Sequence, residues 1–290
     1  MSILTIAYTC AARLQIPPPS GAFLSSTDNN MILLKAMLEE AAQDLVSLAV
    51  WTELESEHTF TLATDTPSYA LPADFDRVQN DTLWNRTQRW PLIGPLDAVL
   101  WQVYKSGLIT TVPRQRFRVK GWSNAQFFID PTPSSDENGQ TCAFEYITQT
   151  CIRPKTWVAS TSWTGIQYCS YNGYIFDRGA ITAATTGTSA PTPSSLNDGS
   201  ITWSLYTSPF QTFTNDTDNL ILNEKIVIDR AIWRFKQERG LDFEDLRRQA
   251  NELLEIAITD RSGASVLYTG PNNVGYPPIL GINNYPQGNF

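Results

Sequence analysis

The sequence predicts an α+β protein: an antiparallel helix bundle with a β-sheet or β-sandwich domain, an inserted small β module and an extended C-terminal arm. Three observations predict this class. Apolar residues recur every three or four positions near both ends of the chain, two-residue alternation dominates the middle, and the last thirty residues carry one charge. The predicted domains are 1–58 with 221–260 (bundle), 59–153 (β-rich, with a short helix), 154–220 (insert) and 261–290 (arm).

Four helices are predicted outside the β-rich part. A helix over Leu4–Leu14 ends before three prolines, and an amphipathic helix over Asn29–Trp51 follows a run of capping residues. Two more helices, over Asn223–Arg239 and Phe243–Asp260, are separated by Gly240, which favours a left-handed helix end. This short break makes the last two helices neighbours.

Short alternating stretches predict the strands of the β-rich domain. Turn residues separate them, and a brief helix is expected over Pro95–Lys105. A hairpin is expected around Gly121. The strands are predicted within 59–62, 68–72, 75–84, 89–93, 114–120, 122–129 and 142–151.

Composition and charge exclude several classes of protein. Charged residues make up 17% and hydrophobic residues 42% of the chain, which disfavours disorder. The 21 basic and 29 acidic residues give a net charge of −8, whereas a general nucleic-acid binder needs a basic excess. No apolar run is long enough to span a bilayer, and no positive charge precedes the first apolar stretch. We therefore expect synthesis in the cytoplasm without export by a signal of the chain's own, and reduced and mostly buried cysteines at 10, 142, 151 and 169.

Motifs for catalysis are missing from the sequence. His58 is the only histidine, and a position at the surface or at a cap is expected for it. The chain has no GxSxG, HExxH, GxxxxGK[ST] or GxGxxG pattern, so no enzyme activity, metal or cofactor is predicted. A carboxylate pair could in principle hydrolyse a glycosidic bond, but the acidic residues carry no specific signal; those considered are Glu53, Glu55, Glu57, Asp65 and Asp74.

The insert is rich in Thr, Ser, Gly and aromatic residues. Its aromatic side chains either form a surface for a sugar or a protein, or pack in the core of a small β module. The candidate contact residues are Trp163, Tyr171, Tyr174 and Trp203. Turn formation is preferred over calcium binding for the aspartates at 177, 198, 216 and 218, because they lack EF-hand spacing.

Two further segments are candidate contact surfaces. Arg114, Arg116, Arg118 and Lys120 alternate with other residues, so a strand would place this basic stripe on one face. The stripe either faces an acidic partner or passing DNA, or is an ordinary solvated face. The arm is either a docked segment or a solvated tail, and its candidate docking residues are Val266, Leu267, Tyr268, Tyr276, Pro277, Pro278, Ile279, Leu280, Tyr285 and Phe290.

The order of several short elements resembles one family. A helix ending in Trp51 is followed by Phe60–Leu62 and by the run Tyr69–Val78, which contains Tyr-x-Leu-Pro-x-Asp-Phe. Later come Arg116–Val119, Phe128–Pro133 and Ala231–Trp233. Over roughly residues 1–150 and 220–260, this order resembles the head-to-tail adaptor proteins of short-tailed bacteriophages, the tail tubular protein A group.

The resemblance implies a structural virion protein at the neck of the phage particle. Such head-tail connectors form a ring, usually a dodecamer, that joins the portal protein to the tail nozzle protein. The ring continues the channel through which genomic DNA passes during ejection without sequence-specific binding. A C-terminal extension commonly contacts the portal, and no membrane is involved. The insert departs from the simplest members of the family.

Two other functions stay open at this stage. The aromatic insert would make the chain a carbohydrate-binding or host-recognition component of the tail. A peptidoglycan hydrolase is the third alternative, since some virion proteins are.

Overall fold

The computed structural model describes residues 1–107, 115–121, 126–179 and 182–262, and these ranges form a mixed α+β fold, as the sequence predicts. Five helices are described: α1 (Ile3–Leu14), α2 (Asn29–Leu48), α3 (Ala98–Lys105), α4 (Glu224–Glu238) and α5 (Glu244–Ser262). The described strands pair only antiparallel: β1 (Glu55–Thr61), β2 (Ser68–Ala70), β3 (Phe75–Val78), β4 (Trp84–Asn85), β5 (Trp90–Pro91), β6 (Arg116–Lys120), β7 (Gln126–Asp130), β8 (Thr141–Thr148), β9 (Ile152–Arg153), β10 (Ser162–Trp163), β11 (Tyr168–Tyr171), β12 (Tyr174–Asp177), β13 (Ala184–Thr185), β14 (Ser204–Tyr206) and β15 (Asn219–Leu220).

Helix α2 ends three residues earlier than the sequence predicts. Its N-cap is Asp28, whose carboxylate accepts a hydrogen bond from the N–H of Asn30 at 2.8 Å. The chain leaves the helix at Ala49, and buried Trp51 turns back to donate from Nε1 to the Leu45 carbonyl at 2.6 Å. Trp51 therefore packs on the last turn of α2 and is not part of the helix. The apolar periodicity of the sequence is the same whether Trp51 lies in the helix or packs on its end.

Helices α1, α2, α4 and α5 share one apolar core. Arg234 of α4 forms ion pairs with Glu40, at 2.7 Å, and with Asp44, while Arg239 donates to Asn30. A later residue of α4 thus meets an earlier residue of α2, so these two helices run antiparallel. Helices α1 and α5 also pack on α4. The buried cluster includes Ile6, Cys10, Leu34, Leu38, Leu45, Val227, Ala231 and Leu254.

Two antiparallel sheets surround a second core. The first sheet has the order β1-β8-β4-β5, with β3 also pairing with β8, and the second has the order β2-β7-β6. A bridge between Ile93, which follows β5, and Arg116 connects the two sheets. The shared core contains Leu62, Leu83, Leu92, Phe117, Phe127, Ile129, Cys142, Phe144 and Tyr146. Strands β6 and β7 pair as the sequence predicts for 114–129.

The insert has its own small core. Two short sheets, β10-β13 and β11-β12-β14, surround Trp157, Trp163, Ile166, Cys169, Phe176, Ile201 and Trp203. Beyond β14 the chain returns to the helices, where Phe210 and Phe213 are buried in the helical core. The N–H of Phe213 donates to Glu39 of α2 at 2.8 Å. Residues 207–220 therefore pack with the helices.

Candidate functional site

The run Tyr69–Val78 joins the helices to the β domain. Asp74 lies in its turn and accepts hydrogen bonds from the hydroxyls of Tyr146, at 3.1 Å, and Thr148, at 2.6 Å. The N–H of Gln149 donates to the Asp74 carbonyl at 2.8 Å. This aspartate thus fixes the run to the end of β8.

Arg77 in the same run reaches the helices. Its Nη2 donates to the carbonyl oxygens of Val46, at 3.1 Å, and Ala49, at 2.7 Å. These carbonyls belong to the unpaired C-terminal end of α2, where a cation is also favoured by the helix dipole. The residues that carry the family resemblance are therefore structural contacts between two cores.

The basic stripe lies on one face of β6, but its members differ in environment. Arg116 is only 4% exposed and lies over the Tyr104 ring at 3.6 Å, with Nη2 3.1 Å from the Asp130 carboxylate. Neither alternative given for the stripe, a surface facing a partner or an ordinary solvated face, holds for Arg116, because its side chain is buried between α3 and β7 and paired with Asp130. Arg118 is half-buried and Lys120 is exposed, with Nζ over the Phe128 ring at 4.1 Å; Arg114 lies outside the described residues.

A shallow cavity of about 320 Å³ lies on the outer face of the first sheet. Glu57 and Glu145 are direct cross-strand neighbours there, and two like charges in that position repel each other. Arg86 offsets the repulsion with a bidentate contact to Glu57, of which the Nη1–Oε1 distance is 3.2 Å. Glu57 is among the candidate carboxylates predicted from the sequence, and Glu145 is not. The alternation of residues along β8 would have indicated that Glu145 points outward.

The lining of this cavity carries charges of both signs. The other lining residues include Trp84 and Arg89, so two guanidinium groups accompany two carboxylates. Two of the other candidate carboxylates, Asp65 and Asp74, lie in turns at a different place, and Asp74 already accepts two hydrogen bonds.

The insert's tryptophans are buried. Trp163 is 0% and Trp203 is 2% exposed, and their rings meet edge to face at 5.8 Å. They cannot offer a contact surface, because the module needs them for its core. Tyr171 is half-buried and Tyr174 is 48% exposed, so only Tyr174 among the four projects largely into solvent.

Asp198 organises the core of the insert. Its Oδ2 accepts hydrogen bonds from the indole Nε1 of Trp157, at 3.2 Å, and of Trp203, at 3.1 Å. Its Oδ1 accepts from the N–H groups of Ser200, at 2.9 Å, and Ile201, at 2.6 Å. Burial by itself raises the pKa of Asp198, but the hydrogen bonds from Ile201, Ser200 and Trp203 outweigh it and hold the pKa below the ordinary value. These contacts account for the turn that the sequence predicts.

His58 lies in the middle of β1. It faces the core of the β domain, with its ring edge-on to Phe144 at 5.4 Å. Partial burial lowers the pKa of His58, and the smaller effect of Asp74 acts in the opposite direction. The predicted surface or cap position is therefore wrong, because alternation along β1 turns His58 inward. All four cysteines are buried, as the sequence predicts, and none of them is in a disulfide.

Helix α3 carries two of the exposed apolar side chains of the described residues. Asp97 caps this helix by accepting from the N–H of Leu100 at 2.7 Å, and Trp101 is its only buried side chain. Val99 is 72% exposed, and Ile93 and Leu100 are also exposed. The candidate docking residues of the arm, from Val266 to Phe290, lie outside the described residues.

Comparisons with known proteins give no family for this chain. No family model and no curated protein matches the chain. Within the described ranges, no three His, Cys, Asp or Glu side chains are grouped as a metal site requires. No helix in that part of the chain has both the length and the hydropathy to cross a membrane.

Proposed function

We propose that the protein is a head-to-tail adaptor of a short-tailed bacteriophage, a ring-forming virion protein that joins the portal to the tail nozzle and continues the DNA channel. In this proposal the helices form the antiparallel bundle of such an adaptor, and the two sheets with their shared core form its β sandwich. The observation that carries the proposal is the joint built by Asp74 and Arg77. Within the run Tyr69–Val78, which carries the resemblance, Asp74 ties the chain to β8 and Arg77 ties it to the end of α2.

A connector that carries force between two assemblies benefits from such a joint. Charged hydrogen bonds from Arg77 and to Asp74 cross the boundary between the two cores, and such bonds are stronger than those between neutral groups. The arginine bonds to carbonyls that would otherwise stay unpaired, which rigidifies the two cores relative to each other.

The ring and the arm complete the proposal. Ring subunits meet through heterologous contacts, in which two different surfaces of one subunit bind two neighbours. We propose about twelve copies, by resemblance to the family, and an arm over 261–290 that docks on the portal. The burial of Trp163 and Trp203 weighs against host recognition through the aromatic insert.

The test is reconstitution with the cognate portal ring. Purified full-length chain is mixed with portal, and the product is analysed by size-exclusion chromatography and electron microscopy. We expect a portal complex with a ring of density on the tail side. Failure to bind portal, or labelling of virions at fibre tips and not at the neck, would contradict the proposal. Loss of turbidity from cell walls incubated with the chain would favour the hydrolase alternative.

A further inference from the structure

The β domain carries opposite charges on two separated flanks. The acidic flank consists of four carboxylates and two guanidinium groups around β1: Glu53, Glu55, Glu57, Glu145, Arg86 and Arg89. The basic flank is the accessible part of the basic stripe, Arg118 and Lys120 on β6. No acidic side chain of the described residues lies within ion-pair distance of these two cations, since Asp130 is taken by Arg116 and Lys105.

The strand order places these flanks apart. Strand β1 is an edge strand that pairs with β8 alone, and β6 is the edge of the second sheet. Strands β8, β4 and β5 separate them along the path through the Ile93–Arg116 bridge. Phe60 of β1 and Phe127 of β7 meet in the core at 5.3 Å, so the residues that alternate with them point outward from two different faces of the domain.

The free edge of β1 is chemically unusual within the described structure. Exposed and half-buried residues alternate along β1, and the first two exposed residues are Glu55 and Glu57. On the edge of β1 that faces away from β8, no backbone hydrogen bond to another described residue is present. An exposed edge of seven residues is a binding surface unless it is blunted, and charges both blunt it and select the partner. Glu55 and Glu145 have no cation of the described chain within ion-pair distance.

We infer that this acidic flank of one copy binds the basic flank of a second copy, head to tail. The inference rests on the proposed function, because it supplies the two different surfaces that a ring subunit needs. Both flanks repeat their charges every second residue along a strand, which gives about the same spacing of 6–7 Å on each side. A contact made mainly of exposed charges is weak and salt-sensitive, so isolated copies associate weakly until the portal aligns them.

Reciprocal charge reversal tests the contact in the full-length chain. The first variant is Glu55→Lys with Glu145→Lys, which leaves the Glu57–Arg86 pair in place; the second is Arg118→Glu with Lys120→Glu. Self-association is measured by sedimentation at about 50 mM and about 500 mM salt, a range over which the Debye length falls severalfold. Each variant alone should associate at least about tenfold more weakly than the unmodified chain at low salt.

The 1:1 mixture of the two variants is the decisive measurement. It should recover association, because the two intact flanks have opposite charge and the two reversed flanks also have opposite charge, and each pair joins one copy of each variant. The matched controls are Glu252→Lys with Glu255→Lys and Arg247→Glu with Arg248→Glu on α5, which change the net charge equally and should show no such rescue. The inference is overturned if either variant alone self-associates as strongly as the unmodified chain, or if the mixture does not recover self-association.

A second measurement covers weak association. A Glu55→Cys, Lys120→Cys chain should form a ladder of disulfide-linked oligomers on oxidation, because the four native thiols are buried. Each single-cysteine chain should give less cross-linking, limited to dimers. A chain without a ladder overturns the head-to-tail contact. These results are separable from portal binding. If the chain binds portal but the charge variants self-associate like the unmodified chain, only this contact is ruled out. If the charge variants rescue each other but the chain does not bind portal, the adaptor proposal is ruled out.

Discussion

Arg77 donates a hydrogen bond from Nη2 to the carbonyl oxygen of Ala49 at 2.7 Å, although these residues lie 28 positions apart and belong to different cores. The same nitrogen contacts the carbonyl oxygen of Val46. One guanidinium group thus satisfies the end of α2 and holds β3 against it. The link between the helices and the β domain is therefore a backbone-to-side-chain contact at a defined position.

Replacing Arg77 by Leu should weaken this joint. The substitution keeps the apolar stem but leaves two carbonyls of α2 without their donor, and we expect a loss of about 1–2 kcal/mol in the free energy of unfolding. Urea denaturation followed by circular dichroism measures it. The matched control is Arg86→Leu, which breaks an exposed ion pair with Glu57 and should cost less than about 1 kcal/mol. Equal losses for the two variants would contradict the special role of Arg77.

Local patterns predict the helices and the hairpin because their signals lie within a few residues. Asp28, in the predicted run of capping residues, caps α2, α4 begins within one residue of its predicted start at Asn223, and β6 pairs with β7 as expected. The candidate surfaces are harder to predict because burial depends on distant parts of the chain. Nothing near Arg116 in sequence shows that Tyr104 lies over it, and nothing near Trp163 shows that Trp203 packs against it.

Acid should unfold the insert through Asp198. Its pKa is held below the ordinary value in the folded state, so its contribution to stability is fully present above the unfolded-state pKa and is lost as pH falls through the folded-state pKa. Asp198→Asn removes this titration and turns an amide donor towards the two indole N–H groups. We expect a loss of about 1–3 kcal/mol at pH 7, shrinking towards acid pH. Tryptophan fluorescence during urea unfolding between pH 3 and pH 7 measures the difference; a difference independent of pH would contradict the assignment.

Gly187 should tolerate no side chain. A Cβ at this position would overlap the carbonyl oxygen of Asp198 and lie 2.5 Å from its carbonyl carbon. The contact is with backbone, which cannot rotate away, so Gly187→Ala should destabilise the insert by more than about 2 kcal/mol. Gly21→Ala is the control, because nothing lies within 4 Å of its Cβ and its φ is not in the left-handed region. Thermal unfolding compares the two variants, and equal melting temperatures would rule out the close approach.

Removing residues 263–290 should separate folding from assembly. The helical core of residues 1–262 buries its own apolar residues, so the truncated chain should unfold at the same urea concentration as the full chain. The removed segment carries no charge and contains Val266, Tyr268 and Tyr276 among its apolar residues, and such a segment gains affinity by burying them against a partner. We therefore expect a portal complex at least about tenfold weaker, measured by binding to immobilised portal at several salt concentrations.

The salt dependence of that experiment distinguishes the arm from the charged flanks. Loss of an apolar arm should weaken the portal complex at every salt concentration, because burial of apolar surface does not depend on screening. Loss of a charged contact should matter only at low salt. A matched chain in which Tyr268, Tyr276 and Tyr285 are replaced by Ser keeps the length of the arm and should behave like the truncation. If both shortened and substituted chains bind portal as tightly as the full chain does, the arm is a solvated tail and the portal must be held by the described surface.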